Sequence, residues 1–428
     1  MQKKIIQVEE RVPLAKGIPL SIQHLFAMFG ASVLVPMLFG ISPGVVLFMN
    51  GVGTLIYILI TKGKAPAYLG SSFAFLAPVA LIIGQPGSTD SAKYPYALGG
   101  FVIVGVAICL VACIIKLFGT KWIDVILPPA AMGPIVALIG LTLAGSAAQN
   151  GGLPIMGTAI APGQYKQIIV FALTLLTAVF GSILFRKFLA VIPILISMIV
   201  GYLAAVAFGL VDFSAVTQAA FFTVPEFRTP IFSSGAILTI LPATLVIVTE
   251  HIGHQMVTSK IVGRDLIRDP GLHRTLLGDG ISTIISGFTG AVPTTTYGEN
   301  IGVMAITGVY SVWVIGGAAV ISILIAFIGP VSALIQSIPW CVIGGVSFML
   351  YGMIAASGLR LLVEAGVDYG RSRNLALTSV VFVTGLSGAY VPIGEYQLSG
   401  LTLATLVGMI LGLSFFILDK LKLTNDRG

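Results

Sequence analysis

Two glutamates in apolar surroundings are the residues of this chain whose type and position best suit chemistry. Glu250 lies well inside an apolar run, and Glu299 lies within the glycine- and hydroxyl-rich residues 294–302. A charge at the centre of a bilayer costs about 3 kcal/mol on insertion scales, so an ionisable residue there indicates a functional site. His254 follows Glu250 at i+4 and shares its helix face. His251 is turned about 100° away, which is as typical of a packed histidine as of a functional one.

The residues around Glu299 predict an interruption of helical backbone at membrane depth. The sequence TTTYGE at 294–299 is matched in the first half of the chain by GSSF at 70–73. Non-helical backbone is tolerated inside a membrane only where it is buried in protein or lines a cavity. Paired segments of this kind point to the substrate site of secondary transporters. Two glycine-rich helix-packing seams would explain the glycines and serines, but they leave Glu299 unexplained.

Carboxylates, backbone N–H groups and an aromatic face together suit a small planar ligand with alternating N–H and C=O groups. A carboxylate accepts from ring N–H groups, backbone amides donate to ring carbonyls, and an aromatic side chain stacks on the ring. Because burial disfavours the charged form of a carboxyl group without a cationic partner, a proton on Glu299 or Glu250 is a candidate co-substrate. The alternative is a protonated glutamate that only hydrogen-bonds to a neighbouring helix.

The sequence contains no phosphate-binding loop, nucleophile elbow, metal-ligand cluster or ATP-binding domain. We therefore expect no cofactor other than protons as the coupling ion, and no metal. Transport would then be driven by an ion gradient.

The composition is that of a chain lying almost entirely within a membrane. Of its 428 residues, 57% are hydrophobic and only 9% are charged, and the mean hydropathy is +1.04. Soluble domains contain about 25% charged residues, so the composition excludes a water-soluble globular protein, a disordered chain, a coiled coil and a disulfide-rich secreted scaffold. The net charge of +7 fits cytoplasmic loops rich in Lys and Arg better than a nucleic-acid partner.

Apolar runs recur along the whole chain, and one bilayer crossing needs about 20 residues. We predict an all-α polytopic membrane protein with fourteen transmembrane segments. They are residues 18–39, 45–61, 68–84, 97–115, 123–147, 167–185, 188–211, 235–259, 274–288, 292–307, 309–328, 335–358, 374–391 and 399–418.

The distribution of positive charge predicts the orientation of these segments. If the N-terminus is cytoplasmic and all fourteen segments cross, twenty of the 23 Lys and Arg residues are cytoplasmic, and only Lys93, Lys166 and Arg228 lie outside. This asymmetry is the positive-inside signal. It predicts a multi-pass protein with both termini in the cytoplasm.

A faint internal repeat relates the two halves of the chain. Gln23 in segment 1 and Glu250 in segment 8, each followed by a histidine, are 227 residues apart, as are Ser72 in segment 3 and Glu299 in segment 10. Each half then holds seven segments, and an odd number forces the second half to insert upside down. We predict 7+7 inverted repeats, the plan of many secondary transporters, with the substrate site at the repeat interface.

Four stretches carry a family resemblance, namely QHLFAMFG at 23–30, YLGSSF at 68–73, EHIGH at 250–254 and TYGEN at 296–300. They resemble the bacterial uracil permeases, a branch of the nucleobase–cation symporter family that also includes nucleobase and ascorbate transporters. The resemblance covers essentially the whole chain. The xanthine and uric acid branch usually has Gln at the position of Glu299, so this residue favours a pyrimidine.

The resemblance implies fourteen segments in two inverted repeats, with short strands in segments 3 and 10 ahead of half-helices. It implies a core domain of residues 1–120 (segments 1–4) and 234–330 (segments 8–11). It also implies a gate domain of residues 121–233 (segments 5–7) and 331–428 (segments 12–14). Family members are commonly dimers joined through the gate domain, so we expect a homodimer.

Roles for individual residues also follow from the resemblance. Glu250 and Glu299 are expected to bind the ring N–H groups of uracil, and the backbone N–H groups of Phe73 and Gly298 to hold its carbonyls. His254 is expected to hydrogen-bond nearby. The remaining candidates are Ser72, Tyr297 and Tyr351 for substrate binding, and Glu299, His24 and Glu250 for proton coupling.

These observations predict a proton-coupled uracil importer of a bacterial inner membrane, which works by alternating access of the core against the gate and is not an enzyme. Two other classes stay open. An anion transporter or channel could use the same fold, because N-termini of half-helices favour anions, although two carboxylates oppose an anion. A membrane-embedded enzyme is the other class, and it lacks a recognisable nucleophile–base pair. Thymine as substrate and Na⁺ as coupling ion also stay open.

Overall fold

The computed structural model describes residues 5–84, 89–154, 161–393 and 396–424, which fold mainly into helices. The helices are α1 (Leu14–Phe39), α2 (Pro43–Ile60), α3 (Leu76–Ile83), α4 (Tyr94–Phe118), α5 (Lys121–Ile126), α6 (Pro129–Leu141), α7 (Ala144–Asn150), α8 (Gln164–Leu184), α9 (Pro193–Ala207), α10 (Ser214–Gln218), α11 (Ser234–Ile240), α12 (Ala243–Val262), α13 (Leu272–Thr289), α14 (Gly298–Thr307), α15 (Val312–Ala326), α16 (Gly329–Gln336), α17 (Trp340–Glu364), α18 (Ser372–Leu386) and α19 (Gly400–Lys420). The strands are β1 (Leu69–Ser71), β2 (Thr294–Thr296), β3 (Tyr390–Ile393) and β4 (Tyr396–Ser399).

Eight helical stretches among the described residues are long and apolar enough to cross a membrane. They are Leu14–Phe39, Pro43–Ile60, Ser91–Phe118, Pro129–Asn150, Gln164–Leu184, Ser234–Val262, Trp340–Glu364 and Gly400–Lys420. Shorter apolar helices lie at Phe73–Ile83, Pro193–Ala207 and Val312–Ala326. The other predicted segments correspond to α13, α14 and α18, which are shorter or more polar, so the count of fourteen crossings stays a prediction. The chain has the architecture of a multi-pass helical membrane protein.

Strands β1 and β2 form a two-stranded antiparallel ribbon that is buried among the helices. The N–H of Ser72 donates to the carbonyl of Pro293, and the N–H of Tyr297 donates to the carbonyl of Tyr68, each at 3.0 Å. The ring of Tyr297 lies against Gly70 where any larger residue would place its Cβ, so this approach requires glycine. Protein therefore surrounds the ribbon, as non-helical backbone at membrane depth demands.

Each strand of the ribbon leads directly into a helix. Residues Phe73–Phe75 form a 3₁₀ turn that continues as α3, and α14 begins at Gly298 immediately after β2. Helix α14 stops at Gly308, whose φ of +72° is a left-handed conformation that glycine adopts without strain. Because the strands are antiparallel, the N-termini of the two short helices are brought towards each other from opposite directions.

The long helices pack in two sets. In the first set, α2 contacts α13 and α15, α4 contacts α11 and α13, and α1 contacts α15. The ribbon belongs to this set, since β1 contacts α1 and α2, and β2 contacts α12 and α13. In the second set, α17 contacts α6 to α9, and α18 contacts α6 and α19. Helix α12 also contacts α6, so it lies where the two sets meet.

The end of predicted segment 13 differs from expectation. Helix α18 stops at Leu386, and Gly388 has a φ of +72°. Strands β3 and β4 then pair as an antiparallel hairpin before α19 begins. The apolar run continues past the turn because one buried residue of the hairpin, Leu398, is also hydrophobic.

The residues before α1 are tied to distant parts of the chain. The N–H of Ile6 donates to the carbonyl of Gly308 at 2.9 Å, and the carbonyl of Ile6 accepts from the N–H of Tyr310 at 2.8 Å. The carboxylate of Glu9 pairs with the guanidinium of Arg264, just beyond α12, at 2.6 Å. This N-terminal segment therefore joins the start of α15 to the end of α12.

Candidate functional site

Helix α12 presents Glu250 and His254 on one face, and both side chains are partly exposed. Nδ1 of His254 lies 3.0 Å from the hydroxyl oxygen of Thr296 in β2. Nε2 of His254 lies 3.4 Å from the point where a Cβ would stand on Gly298. His254 therefore connects α12 to the end of β2 and to the first residue of α14.

Glu299 lies in the first turn of α14, directly after Gly298. Its side chain is partly exposed and Gly298 is exposed, so neither is sealed in the helix packing. The carboxyl groups of Glu299 and Glu250 are close enough for their charges to interact. A carboxylate in the first turn of a helix is favoured by the positive end of the helix dipole. Two helices thus bring one acidic group each to the same region.

Phe73 supplies an aromatic side chain to this region. It begins the 3₁₀ turn after β1, is partly buried and lines the same cavity as Glu250 and His254. The N–H groups in the first turn of a helix have no partner within that helix. Phe73 and Gly298 occupy such positions on two opposed short helices, so both can present a backbone N–H to a ligand.

The cavity that these residues line has a volume of ≈ 640 Å³, which is within the usual range for a small-molecule site. It follows α12 from Val246 to Val257. Its opposite wall comes from α5, α6 and α17 of the second helix set. The apolar residues of that wall include Leu127, Met132, Val136, Ile139, Ile354 and Leu361. The cavity therefore lies between the two helix sets.

Three other predicted site residues are buried. Tyr297 is 3% exposed, and its hydroxyl donates to the carbonyl of Ser71 at 3.1 Å. Ser72 is buried at the end of β1, and Tyr351 is buried on α17. Tyr297 thus holds the ribbon together on the side away from its free N-termini. The substrate-binding roles of Tyr297, Ser72 and Tyr351 stay predictions.

His24 is buried on α1 and contacts the residue that follows Glu299. The side-chain amide nitrogen of Asn300 lies 3.1 Å from Nδ1 of His24 and 3.0 Å from its carbonyl oxygen. His24 is therefore linked to the first turn of α14, one residue from the carboxyl group of Glu299. Its role in proton coupling stays a prediction.

The other histidine of α12, His251, is fully buried. Its Nδ1 lies 2.7 Å from Oδ2 of Asp279 on α13, and both side chains have 0% exposure. The Tyr57 ring is edge-on to the imidazole with centroids 6.5 Å apart, and Gln255 donates to the Tyr57 hydroxyl at 2.8 Å. His251 is a hydrogen-bonded packing residue on the face of α12 that points away from the cavity.

Sequence reasoning missed the charged residues of the cavity. Asp124, Arg360 and Glu364 line it from the second helix set and are exposed. Arg360 and Glu364 pair with each other at 2.7 Å, one turn apart on α17. The only signal in the sequence was their position at segment ends, where charges usually belong to loops.

The arrangement is suited to binding and not to covalent chemistry. Two carboxyl groups can accept from ligand N–H groups, and two helix N-termini can donate to ligand carbonyls. The Phe73 ring offers a surface for stacking. Among the described residues, no group of three or more His, Cys, Asp or Glu side chains is placed to hold a metal ion.

Comparison of the sequence with known proteins gives a family. Residues 15–394 match the Permease family model (Xan_ur_permease). The chain is 54% identical over 427 residues to a uracil permease of Paenibacillus larvae subsp. larvae, and 100% of both chains are covered. It is 55% identical over 423 residues to a uracil permease of Escherichia coli strain K12, covering 99% of this chain and 96% of that protein.

Comparison of the structure with solved structures gives a fold. The transmembrane domain of a cyanobacterium bicarbonate transporter, BicA, has a TM-score of 0.60 at 15% identity, covering 95% of this chain and 100% of that one. Murine Solute Carrier 26 family member A9, an anion transporter, has a TM-score of 0.72 at 11% identity, covering 96% of this chain and 69% of that one. At such identities the likeness concerns the fold alone.

Proposed function

Because the chain belongs to the Permease family, within its bacterial uracil permeases, we propose that it imports uracil across the inner membrane of a bacterium together with protons. As a permease it is a transporter and not an enzyme. Similarity to uracil permeases along the whole chain supports the substrate. The coupling ion and the mechanism are the parts that the site itself has to support.

The observation that carries the proposal is the pair of carboxyl groups, Glu250 and Glu299, beside two helix N-termini at one cavity. Uracil has two ring N–H groups and two carbonyls in one plane. The carboxyl groups match the N–H groups, the N–H groups of Phe73 and Gly298 match the carbonyls, and the Phe73 ring can cover the face of the base. His254 holds the α12 side of the site against Thr296.

We propose that the chain crosses the membrane fourteen times as 7+7 inverted repeats. The ribbon supports this plan, because the bonds from Ser72 to Pro293 and from Tyr297 to Tyr68 are related by one shift of 225 residues. The two helix sets support a core of residues 1–120 and 234–330 and a gate of residues 121–233 and 331–428.

The charge asymmetry supports cytoplasmic termini. The cavity then opens towards the cytoplasm, since it extends along α12 towards the helix end next to Lys260. We further propose a homodimer joined through the gate.

In the proposed mechanism a proton on Glu299, or one shared with Glu250, accompanies the substrate. Two nearby carboxylates repel each other, and a proton between them removes that repulsion and lets one carboxyl group also donate. With uracil and proton bound, the core moves against the gate and the site becomes open to the cytoplasm. The proton and uracil leave together, because loss of the proton restores the repulsion around the ligand.

An anion transporter is the second candidate, since both solved relatives in fold carry anions by name. The opposed helix N-termini would favour an anion. Glu250 and Glu299 place two acidic groups at the same point, which disfavours one. Saturable sulfate or bicarbonate currents without uracil uptake would support this candidate.

The test is uptake of radiolabelled uracil into proteoliposomes under an imposed pH gradient. We expect accumulation above the outside concentration when the outside is acidic, and collapse of the uracil gradient on adding a protonophore. Unlabelled thymine and xanthine serve as competitors, and an imposed Na⁺ gradient at equal pH serves as the control. Accumulation driven by Na⁺ alone would contradict proton coupling, and no uptake at all would contradict the proposed substrate.

A further inference from the structure

The β1–β2 ribbon has two edges that neither strand can satisfy. In an antiparallel pair, residues alternate between those that hydrogen-bond to the partner strand and those whose N–H and C=O groups point outwards. The bonds of Ser72 and Tyr297 to the partner strand place the outward-pointing groups of the ribbon at Leu69 and Thr294, the first residue of each strand. Without water at membrane depth, such groups need partners within the protein.

One threonine satisfies each edge. The Thr54 hydroxyl on α2 accepts from the N–H of Leu69 at 2.9 Å and lies 3.4 Å from the carbonyl oxygen of the same residue. On α13, the Thr283 hydroxyl accepts from the N–H of Thr294 at 3.3 Å and lies 3.2 Å from its carbonyl oxygen. The two contacts are equivalent under the same 225-residue relation between the strands. Thr54 and Thr283 are both completely buried.

The two threonines are held by direct packing of their helices. Helices α2 and α13 meet where Ser282 occupies the space that a Cβ on Gly53 would need. Gly53 and Ser282 immediately precede Thr54 and Thr283. The Thr294 hydroxyl also donates to the Ser282 hydroxyl at 2.6 Å. A change at either threonine would thus act on a strand end and not on a loosely packed surface.

We propose that Thr54 and Thr283 are positioning residues of the substrate site. Each hydroxyl fixes the start of a strand, and four residues further along that strand leads to the N–H of Phe73 or of Gly298. Together the two hydroxyls set the spacing of the two N–H donors, so that both reach the carbonyls of one ligand. The inference rests on the proposed function, because it takes uracil as that ligand.

The test compares Thr54→Val and Thr283→Val, which keep shape and remove the hydroxyl, with Thr54→Ser and Thr283→Ser, which keep it. Controls are Thr61→Val and Thr275→Val on the same two helices. These buried hydroxyls donate to carbonyls of their own helix, Tyr57 at 2.8 Å and Leu272 at 2.9 Å. Uracil Kd is measured by calorimetry on purified full-length protein, with thermal unfolding followed in parallel.

We expect each valine variant at the ribbon to bind uracil about tenfold more weakly, as for loss of a buried hydrogen-bond partner. The serine variants and the two controls should stay within about threefold of wild type. Equal losses in ribbon and control variants would overturn the inference, as would wild-type affinity in both ribbon variants. If wild-type protein does not bind uracil, the proposed function fails and this inference fails with it.

A second measurement separates positioning from general weakening. Binding of 2-thiouracil and 4-thiouracil replaces one carbonyl oxygen at a time with a weaker acceptor. We expect Thr54→Val to lose less affinity for one analogue than for uracil, and Thr283→Val to lose less for the other. The same loss for all three ligands in a variant would show that its hydroxyl does not position a donor.

Discussion

Helix α12 carries a histidine near a carboxyl group on each of two faces, and the surroundings of the two pairs differ. Glu250 and His254 are partly exposed to the cavity, and His254 contacts only the neutral Thr296 hydroxyl within hydrogen-bonding distance in the described structure. His251 and Asp279 have 0% exposure and lie 2.7 Å apart. The open pair keeps hydrogen-bonding capacity that a ligand or proton can use, whereas the closed pair has already used it within the protein. Surroundings, and not residue type, separate function from packing here.

The largest effect is expected on the closed pair. Asp279→Ala leaves the buried His251 without its partner, and breaking such a pair costs about 3–5 kcal/mol. The unfolding temperature of the purified protein should fall clearly, as measured by intrinsic fluorescence. The double variant with His251→Ala should lose less than the sum of the single losses. Additive losses would show that the two side chains do not act as a pair.

The next effect is expected on the open pair. Glu250→Ala removes a carboxyl group that accepts from the ligand, and uracil affinity should fall by about 100-fold or more, as for loss of a desolvated charged partner. The unfolding temperature without ligand should change little, in contrast to Asp279→Ala. Calorimetric titration checks the affinity. Near-wild-type affinity would remove Glu250 from the site.

A smaller and more selective effect is expected at the neighbouring carboxyl group. Glu299→Gln keeps the shape and one hydrogen-bond acceptor but cannot exchange a proton. Uphill uptake into proteoliposomes should disappear, while exchange of internal for external uracil continues at a reduced rate. Unchanged accumulation under a pH gradient would refute the proton role of Glu299.

The smallest effect is expected at the exposed pair beyond the end of α12, which acts as a surface reference for the other two. The hydrogen bond from Arg264 lowers the pKa of Glu9 below its usual value. Its stabilisation is therefore present above the ordinary glutamate pKa and is lost as pH falls through the lowered value. Since both side chains are about half exposed, Glu9→Gln should cost at most about 1 kcal/mol at neutral pH. Unfolding temperatures between pH 3 and 7 measure the difference, which should shrink in high salt.

The sequence was sufficient for the features that depend on depth and local spacing. Hydropathy indicated the helices, and the burial of a charge together with an i, i+4 histidine indicated Glu250 and His254. The match between Ser72 and Glu299 was less accurate, because the ribbon relates Ser72 to Tyr297 instead. Two-residue matches cannot locate a shift of two positions, whereas hydrogen bonds between strands do so directly.

Features that depend on which helices meet could not be predicted. Asp279 stood out by its depth in segment 9, but only tertiary packing pairs it with His251. Tyr297 lies within the motif next to Glu299, yet its side chain points into the ribbon, because successive residues of an extended chain face opposite sides. The charged residues Asp124 and Arg360 enter the cavity from helices that are distant in sequence.

The ribbon also constrains biosynthesis, because more than 200 residues separate β1 from β2 along the chain. At translation rates of about 5–20 residues per second, β1 waits about 10–40 s for its partner strand. During that interval Thr54 can cover only one end of the strand, and the insertion machinery or water must satisfy the rest. A nascent chain released before Thr294 would hold half of each structural element that the site needs, and it would be a natural target for membrane quality control.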